Sequence, residues 1–499
     1  MGGNYERDIF KQLQEIMLRC DGMSQEIKDI KKEHKQELKT QEIHLKEEFA
    51  KERKVLTDRI DTLERELVYG KAENELLKND NERMKRILNN DSSNSSNPPS
   101  SDQKGNRPNQ YNSRKKQDKK CGGQNGHKGK TLTEAEIQEG IKRGLYKHTV
   151  VDMGTPKKEY HSKYVIDLEI VPIVTEYRFY SDAVITTDQN SAVVYGPNIK
   201  TFAVDLYGEG AMSIQMIENF LNGICSGISI STGSIYNFLK NFGSKVESHI
   251  ESIAKKLQNS EALYTDATVI RCEGKNAYIR NQSTDDAVLY TPMRKKDIES
   301  LRGVKVLGGY TGTLIHDHET ALYHFGTNHA ECNVHLCRYL RKNSEESGNS
   351  WSKEMEELFN EMNSSRKEKM KYATSFSKEE IISYESRFDI LLDKGCEENS
   401  HTKGKYAKDS EETLLNRLKK YKSNHLLFLK DFSVAYDNNL SERDLRKCKT
   451  KQKVSGCFRK HSGNEIYCKV MSFIETCKRN HLSVLNSIEN VFTDRPVQF

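Results

Sequence analysis

From Leu56 the apolar positions recur at steps of four, three and four: Leu56, Ile60, Leu63, Leu67. The same register runs on through Gly70, Asn74, Leu77, Asn81, Met84 and Leu88. This is the a/d seam of a coiled coil, with polar interruptions of the kind that fix register and strand number. Upstream, Ile27, Ile30, Leu38, Leu45 and Phe49 keep helical spacing but lose strict heptads. Residues 4–90 hold no proline and are dense in Glu and Lys. The bland reading is a lone charged helix. Such a helix is barely stable by itself in water, so the pattern predicts a coiled coil over 1–90 and self-association through it.

The periodicity then stops. The stretch NNDSSNSSNPPSSDQKGNRPNQYNSRKKQDKK has seven serines and almost nothing apolar. It cannot bury enough surface to offset its ordering entropy, so 91–130 reads as a disordered linker. Its basic end, with Arg114, Lys115 and Lys116, can track a phosphate backbone or merely solubilise the chain. Within 131–195, YVIDLEIVPIVTEYRFYSDAVITTD is β-branched and aromatic and reads as strands. Over 196–260 the pattern turns helical, with IQMIENFLNGI and SIYNFLKNFGSKVESHIESIAKKL around CSGISISTG. Ser231 or Thr232 can cap the second helix. The pair reads as a helix-turn-helix or as a plain helical hairpin. In the first case Ser234, Asn237 and Lys240 on the second helix are the candidate base readers.

Residues 261–343 return to strand-like runs. Asp266 lies inside the apolar run of EALYTDATVIRCEG, and Asp317 ends another in GTLIHDHETALYHF. A charged aspartate in a buried strand is costly unless it is paired or holds a metal. Two such strands in one sheet would set the aspartates side by side, and a divalent cation would relieve their repulsion. Either Asp could instead simply end its strand at a turn. Residues 344–430 are charged and helical, and 431–499 contains Glu442 amid Arg443, Arg446, Lys447, Lys449 and Lys451. A solvated helix face is the bland reading of Glu442.

Bulk properties narrow the classes. The 499 residues suffice for several domains, and the net charge of +6 is too small to announce nucleic acid by itself. Eleven scattered cysteines fit a reducing cytosol better than a disulfide framework. No run of 18 apolar residues exists to span a membrane, and MGGNYERDIFKQL lacks the apolar centre of a signal peptide. No GxxxxGK[ST] motif occurs, so ATP is not implied.

Several motifs are more specific. SSNSSNPPSSD, GGQNGHKGKTL, YGPNIKTFAVDLY, CNVHLCRYLRK and above all DNNLSERDLR make the chain resemble the insertion-sequence 66 family of DDE transposases from about residue 90 onward. The resemblance implies an α+β multidomain protein. After the coiled coil would come a small β-containing module, a helical DNA-binding region and a ribonuclease-H-like catalytic core with a helical insertion. It implies an acidic triad of Asp266, Asp317 and Glu442 holding two Mg2+ ions, with Mn2+ as substitute, roughly 3.5–4 Å apart. Asn438, Asn439, Arg443, Arg446, Lys447, His335 and Arg338 would lie at the DNA. The partners implied are terminal repeats and target DNA, with room for small accessory proteins of the element. The setting would be the bacterial cytoplasm, at the nucleoid. The alternatives are a decayed DNA-binding scaffold and a nuclease that never joins.

The family's two CxxC-type pairs are missing. The span from Leu132 to the YGP segment has no cysteine, and Cys121, His127, His148 and His161 show no ligand spacing. Zinc needs about four N or S ligands, so no zinc is expected. A copy that has lost a module can be decaying, but the triad and the DNN motif are intact. CNVHLC has no second cluster to complete a metal site, so Cys332 reads as core.

Overall fold

The computed structural model describes residues 3–89, 132–153, 161–178, 180, 193–224 and 227–499, in two compact units. The linker over 91–130, with Arg114, Lys115 and Lys116, lies outside the described residues.

The first unit is helix α1 (Gly3–Asn89) together with 402–409. Leu56, Ile60, Leu63 and Leu67 of its heptad seam are 47–62% exposed. The helix is formed, and among the described residues no element covers these seam positions.

The second unit is built on a five-stranded sheet ordered β3-β2-β1-β4-β5. Its strands are β1 (Ala262–Cys272), β2 (Lys275–Ser283), β3 (Val288–Met293), β4 (Thr313–His316) and β5 (Asn328–Glu331). The first three form an antiparallel meander, and β4 and β5 run parallel to β1. Glu273 and Gly274 both have positive φ, at 54° and 75°. A two-residue turn of that kind matches the twist of the strands it joins and fixes their register. The register sets Asp266 opposite Asn281 on β2.

Helices cover the sheet. α3 (Pro197–Gly208), α4 (Ile214–Ile224), α5 (Thr232–Lys245) and α6 (Glu247–Gln258) precede it. α14 (Asn439–Ser455), α15 (His461–Arg479) and α16 (Val484–Phe492) follow. α14 lies along β1 and β2, and α15 against β3. Phe242 of α5 sits edge-on to Phe473, with ring centroids 5.5 Å apart, which joins the helical region to the same core. Ser231 is the N-cap of α5 and accepts from the backbone N–H of Ser234.

Between β3 and β4 comes the short α7 (Ile298–Arg302), and after β5 comes α8 (Asn333–Ser347). The helical insertion then follows as α9 (Trp351–Lys369), α10 (Lys378–His401), α11 (Lys405–Lys420), α12 (Lys422–His425) and α13 (Leu427–Lys430). It has its own core around Trp351, which is fully buried. The indole Nε1 donates to Glu411 Oε1 at 2.5 Å, satisfying both polar groups away from water.

One expectation fails. Residues 132–153 carry a helix, α2 (Glu134–Lys142), started by a Thr133–Glu136 capping box, and 161–178 form no strand. Val165, Leu168, Ile173 and Val174 are exposed. Their composition suits a pleated surface, but among the described residues no neighbouring strand supplies hydrogen bonds and no face covers the side chains; the rest of the expected run, 179 and 181–188, lies outside the described residues.

The single tryptophan makes the insertion core observable. A Cβ at Gly395 would stand 2.7 Å from Leu415 Cδ2 and 2.8 Å from Trp351 Cδ2. Gly395→Val should therefore cost about 1–3 kcal/mol by overpacking. Tryptophan fluorescence should follow a lowered denaturant midpoint; an unchanged midpoint would contradict the packing.

Candidate active site

Three carboxylates arrive from three elements. Asp266 is mid-strand on β1, and Asp317 follows the last residue of β4. The strands are parallel neighbours with Tyr264 paired to Ile315. Two residues further along each strand stand Asp266 and Asp317, at the same level. Glu442 lies in the first turn of α14.

That helix is tied to β1 at the peptide joining Thr265 to Asp266, directly and through Asn281. Asn438 Nδ2 donates to Thr265 O at 3.1 Å. Asp266 N donates to Asn281 Oδ1 at 3.1 Å, and Ser441 Oγ donates to the same oxygen at 2.6 Å. Asn281 Nδ2 faces Ser441 O at 3.3 Å and Asp444 Oδ2 at 3.2 Å. Ser283 Oγ also donates to Asp444 Oδ2, at 2.6 Å, and Arg479 Nη2 meets Asp444 Oδ1 at 2.5 Å. Ser441 is the residue before Glu442, so this network sets where Glu442 stands.

Asp317 is held from the other side. His318 has a left-handed φ of 42°, and its Nδ1 lies 2.6 Å from Glu331 Oε1. Glu331 is buried and receives Arg417 Nη2 at 2.6 Å and the Tyr323 hydroxyl, with His425 Nε2 3.2 Å away. Burial alone would push the Glu331 carboxyl up; His318, His425, Arg417 and Tyr323 together hold it far below the usual range. The insertion thus supplies two of the groups, Arg417 and His425, that steady the segment carrying Asp317.

The electrostatics are those of crowded carboxylates. Burial pushes Asp266 up, and Asp317 adds to it against Lys296 and the Ala267 N–H. Burial also pushes Asp317 up, against Arg417 and Arg338. Glu442 Oε1 is buried without a hydrogen-bond partner. Carboxylate oxygens of this kind are what a divalent cation takes, and among the described residues the donor atoms close enough to share one ion are those of Cys332, His335 and Glu442.

The other expected residues divide. His335 sits among the carboxylates, with Nδ1 3.4 Å from Asp317 Oδ1 and 3.7 Å from Glu442 Oε1. Arg338 is half-buried one turn further along α8, its charge felt by Asp317. Arg443 and Arg446 are exposed on α14, and Asn439 is exposed at its first residue. On α5, Asn237 and Lys240 are exposed, while half-buried Ser234 has its Oγ 3.1 Å from that of Ser231.

Two expected DNA contacts point inward. Asn438 is fully buried and holds β1. Lys447 joins Glu475 and Glu209, the latter at 3.2 Å. Two further lysines of that stretch are also engaged. Lys449 Nζ donates to Val269 O at 2.6 Å. Lys451 is buried over the Tyr207 ring and donates to Tyr207 O at 3.0 Å, and burial pushes its ammonium down to about 7. Lys451 falls on the buried stripe of α14 with 444 and 448, whereas Lys447 and Lys449 lie off it, as Arg443 and Arg446 do, and reach Glu209, Glu475 and Val269 O with their long side chains.

Sequence reasoning missed Asn281, Ser441, Glu331 and Arg417. One signal was present for the first. Arg280, Asn281, Gln282 and Ser283 are four consecutive polar residues in a strand, and all four are fully buried. Such a run marks a hydrogen-bonded network.

The family model described as Transposase IS66 family matches residues 194–466, from before α3 into α15. The chain belongs to the IS66 transposase family. Membership supports a transposase role, with DNA as partner and a divalent metal as the general requirement. A second model, a family of unknown function (DUF6444), matches 28–133 and adds no activity. No curated protein matches the chain. No helix among the described residues is long and apolar enough to cross a membrane.

The inward and outward residues of this IS66 protein should part in experiment. Asn438→Ala orphans the buried Thr265 carbonyl and should cost about 1–3 kcal/mol of stability and most cleavage, leaving duplex affinity unchanged. Arg443→Ala should keep stability but weaken binding to any duplex, flattening the salt slope by about 0.9. Thermal melts and salt-titrated binding separate the two; reduced duplex affinity in a folded Asn438→Ala protein would overturn the assignment.

Proposed function

We propose that this chain binds the terminal repeats of its own element and carries out metal-dependent DNA strand cleavage and strand transfer. Asp266, Asp317 and Glu442 are its acidic triad. What supports the reading is that the strand register levels Asp266 with Asp317 while the Asn281 network ties to β1 the first turn of α14, which carries Glu442 and its buried orphan oxygen. The sheet, three antiparallel strands followed by two parallel ones, is the arrangement expected of a ribonuclease-H-like core, and the insertion precedes the last carboxylate as the family reading requires.

Two bound Mg2+ ions, for which Mn2+ substitutes, would supply Lewis acidity at the scissile phosphate. The chain's own residues do the rest. The Asn281 network and the Glu331 cluster fix the carboxylates in advance, so little reorganisation is left for the reaction. Exposed Arg443 and Arg446 grip backbone phosphates beside the cut, where a planar guanidinium suits phosphate better than an ammonium does. The exposed face of α5, with Asn237 and Lys240, reads the terminal repeat, since phosphate contacts carry little sequence information. The protein works at the nucleoid in the cytoplasm.

A labelled terminal-repeat duplex with Mg2+ tests the chemistry. Asp266→Ala, Asp317→Ala and Glu442→Ala should each lower nicking at least about a hundredfold, near 3 kcal/mol in the barrier, while duplex binding persists. Equal nicking in wild type and variants would sink the triad. Nicking without joined products would leave a nuclease, and binding without nicking a decayed end-binding protein.

The exposed seam of α1 carries the proposal that two or more copies associate, which would hold two element ends together. Light scattering at micromolar concentration should give a dimer or larger, and removal of 1–90 should give a monomer. A monomeric full-length chain would rule this out.

A further inference from the structure

We infer that Lys296, in the link between β3 and α7, is a phosphate contact of the acidic site, its ammonium holding the DNA backbone phosphate that flanks the cut on the Asp266 side. The inference rests on the acidic-site reading above for where the cut falls, and it adds a residue and a strand path to that reading. Its basis is the open edge of β1. β4 pairs with β1 only through Ala262, Leu263 and Tyr264. Beyond Tyr264 that edge has no neighbouring strand among the described residues until Phe458 bridges to Cys272. Side chains take its carbonyls instead. Asn438 Nδ2 donates to Thr265 O at 3.1 Å, Lys296 Nζ to Ala267 O at 3.3 Å and Lys449 Nζ to Val269 O at 2.6 Å.

Asp266 stands at the head of this row. Its Oδ1 accepts the Ala267 N–H at 2.6 Å, so Ala267 holds the Asp266 carboxylate with its N–H and the Lys296 ammonium with its carbonyl. In an extended strand the N–H and C=O of one residue point to the same edge. Carboxylate and ammonium are therefore neighbours, and the charge of Lys296 is felt at Asp266. Lys296 has a like-charged neighbour as well. Ala267 O and Val269 O are about 6.6 Å apart along the strand, close to the spacing of successive phosphates in one DNA strand. Lys449 on the second carbonyl feels Lys296 and Lys453 as like charges, and Lys453 is exposed one turn further along α14. Lys296 and Lys449 meet carbonyls and not carboxylates, so their charges are left for an anion, and a DNA backbone running from Asp266 along this edge supplies one at each step.

The competing roles fit less well. A counter-charge for Asp266 would close onto it, whereas Lys296 is turned to the Ala267 carbonyl and to the face of Tyr278, 5.4 Å from the ring centroid. A lysine can guard an open strand edge against pairing, but this edge is already covered by Asn438 at Thr265, by Lys449 at Val269 and by Phe458, which takes Arg271 O and the Glu273 N–H. A mere fastener needs no charge, and 3.3 Å lies beyond the usual N–H···O range.

The test uses the full-length chain and a labelled terminal-repeat duplex, with divalent metal left out so that no cutting intervenes. Lys296→Gln should weaken binding about three- to tenfold and flatten the salt slope by about 0.9, Lys296→Arg should restore both, and neither should lower the thermal midpoint. A set of duplexes, each with one phosphate replaced by a neutral methylphosphonate, locates the contact. The wild type should lose affinity at a phosphate next to the cut, and Lys296→Gln should be indifferent at that phosphate alone. A wild-type slope and profile in Lys296→Gln overturns the inference. So does a lowered melt with affinity lost evenly at every phosphate, which is what a fastener would give. Nicking that survives in the triad variants sinks the acidic-site reading, while the methylphosphonate profile still decides whether Lys296 touches DNA, so the two failures are told apart.

Discussion

The side-chain amide of Asn281 joins the middle of β1 to the start of α14, and the geometry of the candidate site hangs on that link. Its oxygen takes the Asp266 N–H and the Ser441 hydroxyl, and its nitrogen faces Ser441 O and Asp444. Strand register alone can level Asp266 with Asp317, because both belong to one sheet. Nothing in the sheet can level Glu442, which arrives about 125 residues later on a helix. A buried amide with both ends engaged does so at low cost, since its donors and acceptors are matched away from water. Asp444 anchors the far side of the link through Arg479, so removing one member would leave several buried groups unpaired.

The same logic explains where the helical insertion sits in the chain. It begins just after β5 and α8 and ends just before α14, between the second and third carboxylates. Its core around Trp351 is separate from that of the sheet. Yet Arg417 and His425 reach Glu331 at the end of β5, and Glu331 holds His318 beside Asp317. The left-handed backbone at His318 is sparsely populated for a residue with a Cβ and persists where the surroundings enforce it. The insertion is therefore part of the support of the acidic site.

What the sequence made legible follows from how local each feature is. The heptads of α1, the N-cap of α5 and the two aspartates at strand positions are short-range patterns. The family motifs singled out Glu442 as a candidate, which periodicity alone could not separate from a solvated face. Asn281 and Glu331 stayed invisible because their partners lie about 160 and 86 residues away in the chain. The segment 161–178 misled for the opposite reason. Its β-branched composition describes a surface that could pair, and pairing depends on a neighbour that composition does not supply.

The charge pattern around Glu442 resolves in the same way. Read along the chain, one glutamate among many basic residues resembles a single phosphate-binding patch. On the helix the positive charges separate. Lys447 is neutralised by Glu209 and Glu475, Lys449 meets a carbonyl, and Lys451 is sunk over Tyr207 and tied to carbonyls of the α3–α4 turn. These lysines fasten α14 to its surroundings. Arg443 and Arg446 are left facing solvent near Glu442. One short helix thus places a carboxylate toward the acidic site, two guanidiniums outward and a lysine bolt toward the helical region that precedes the sheet.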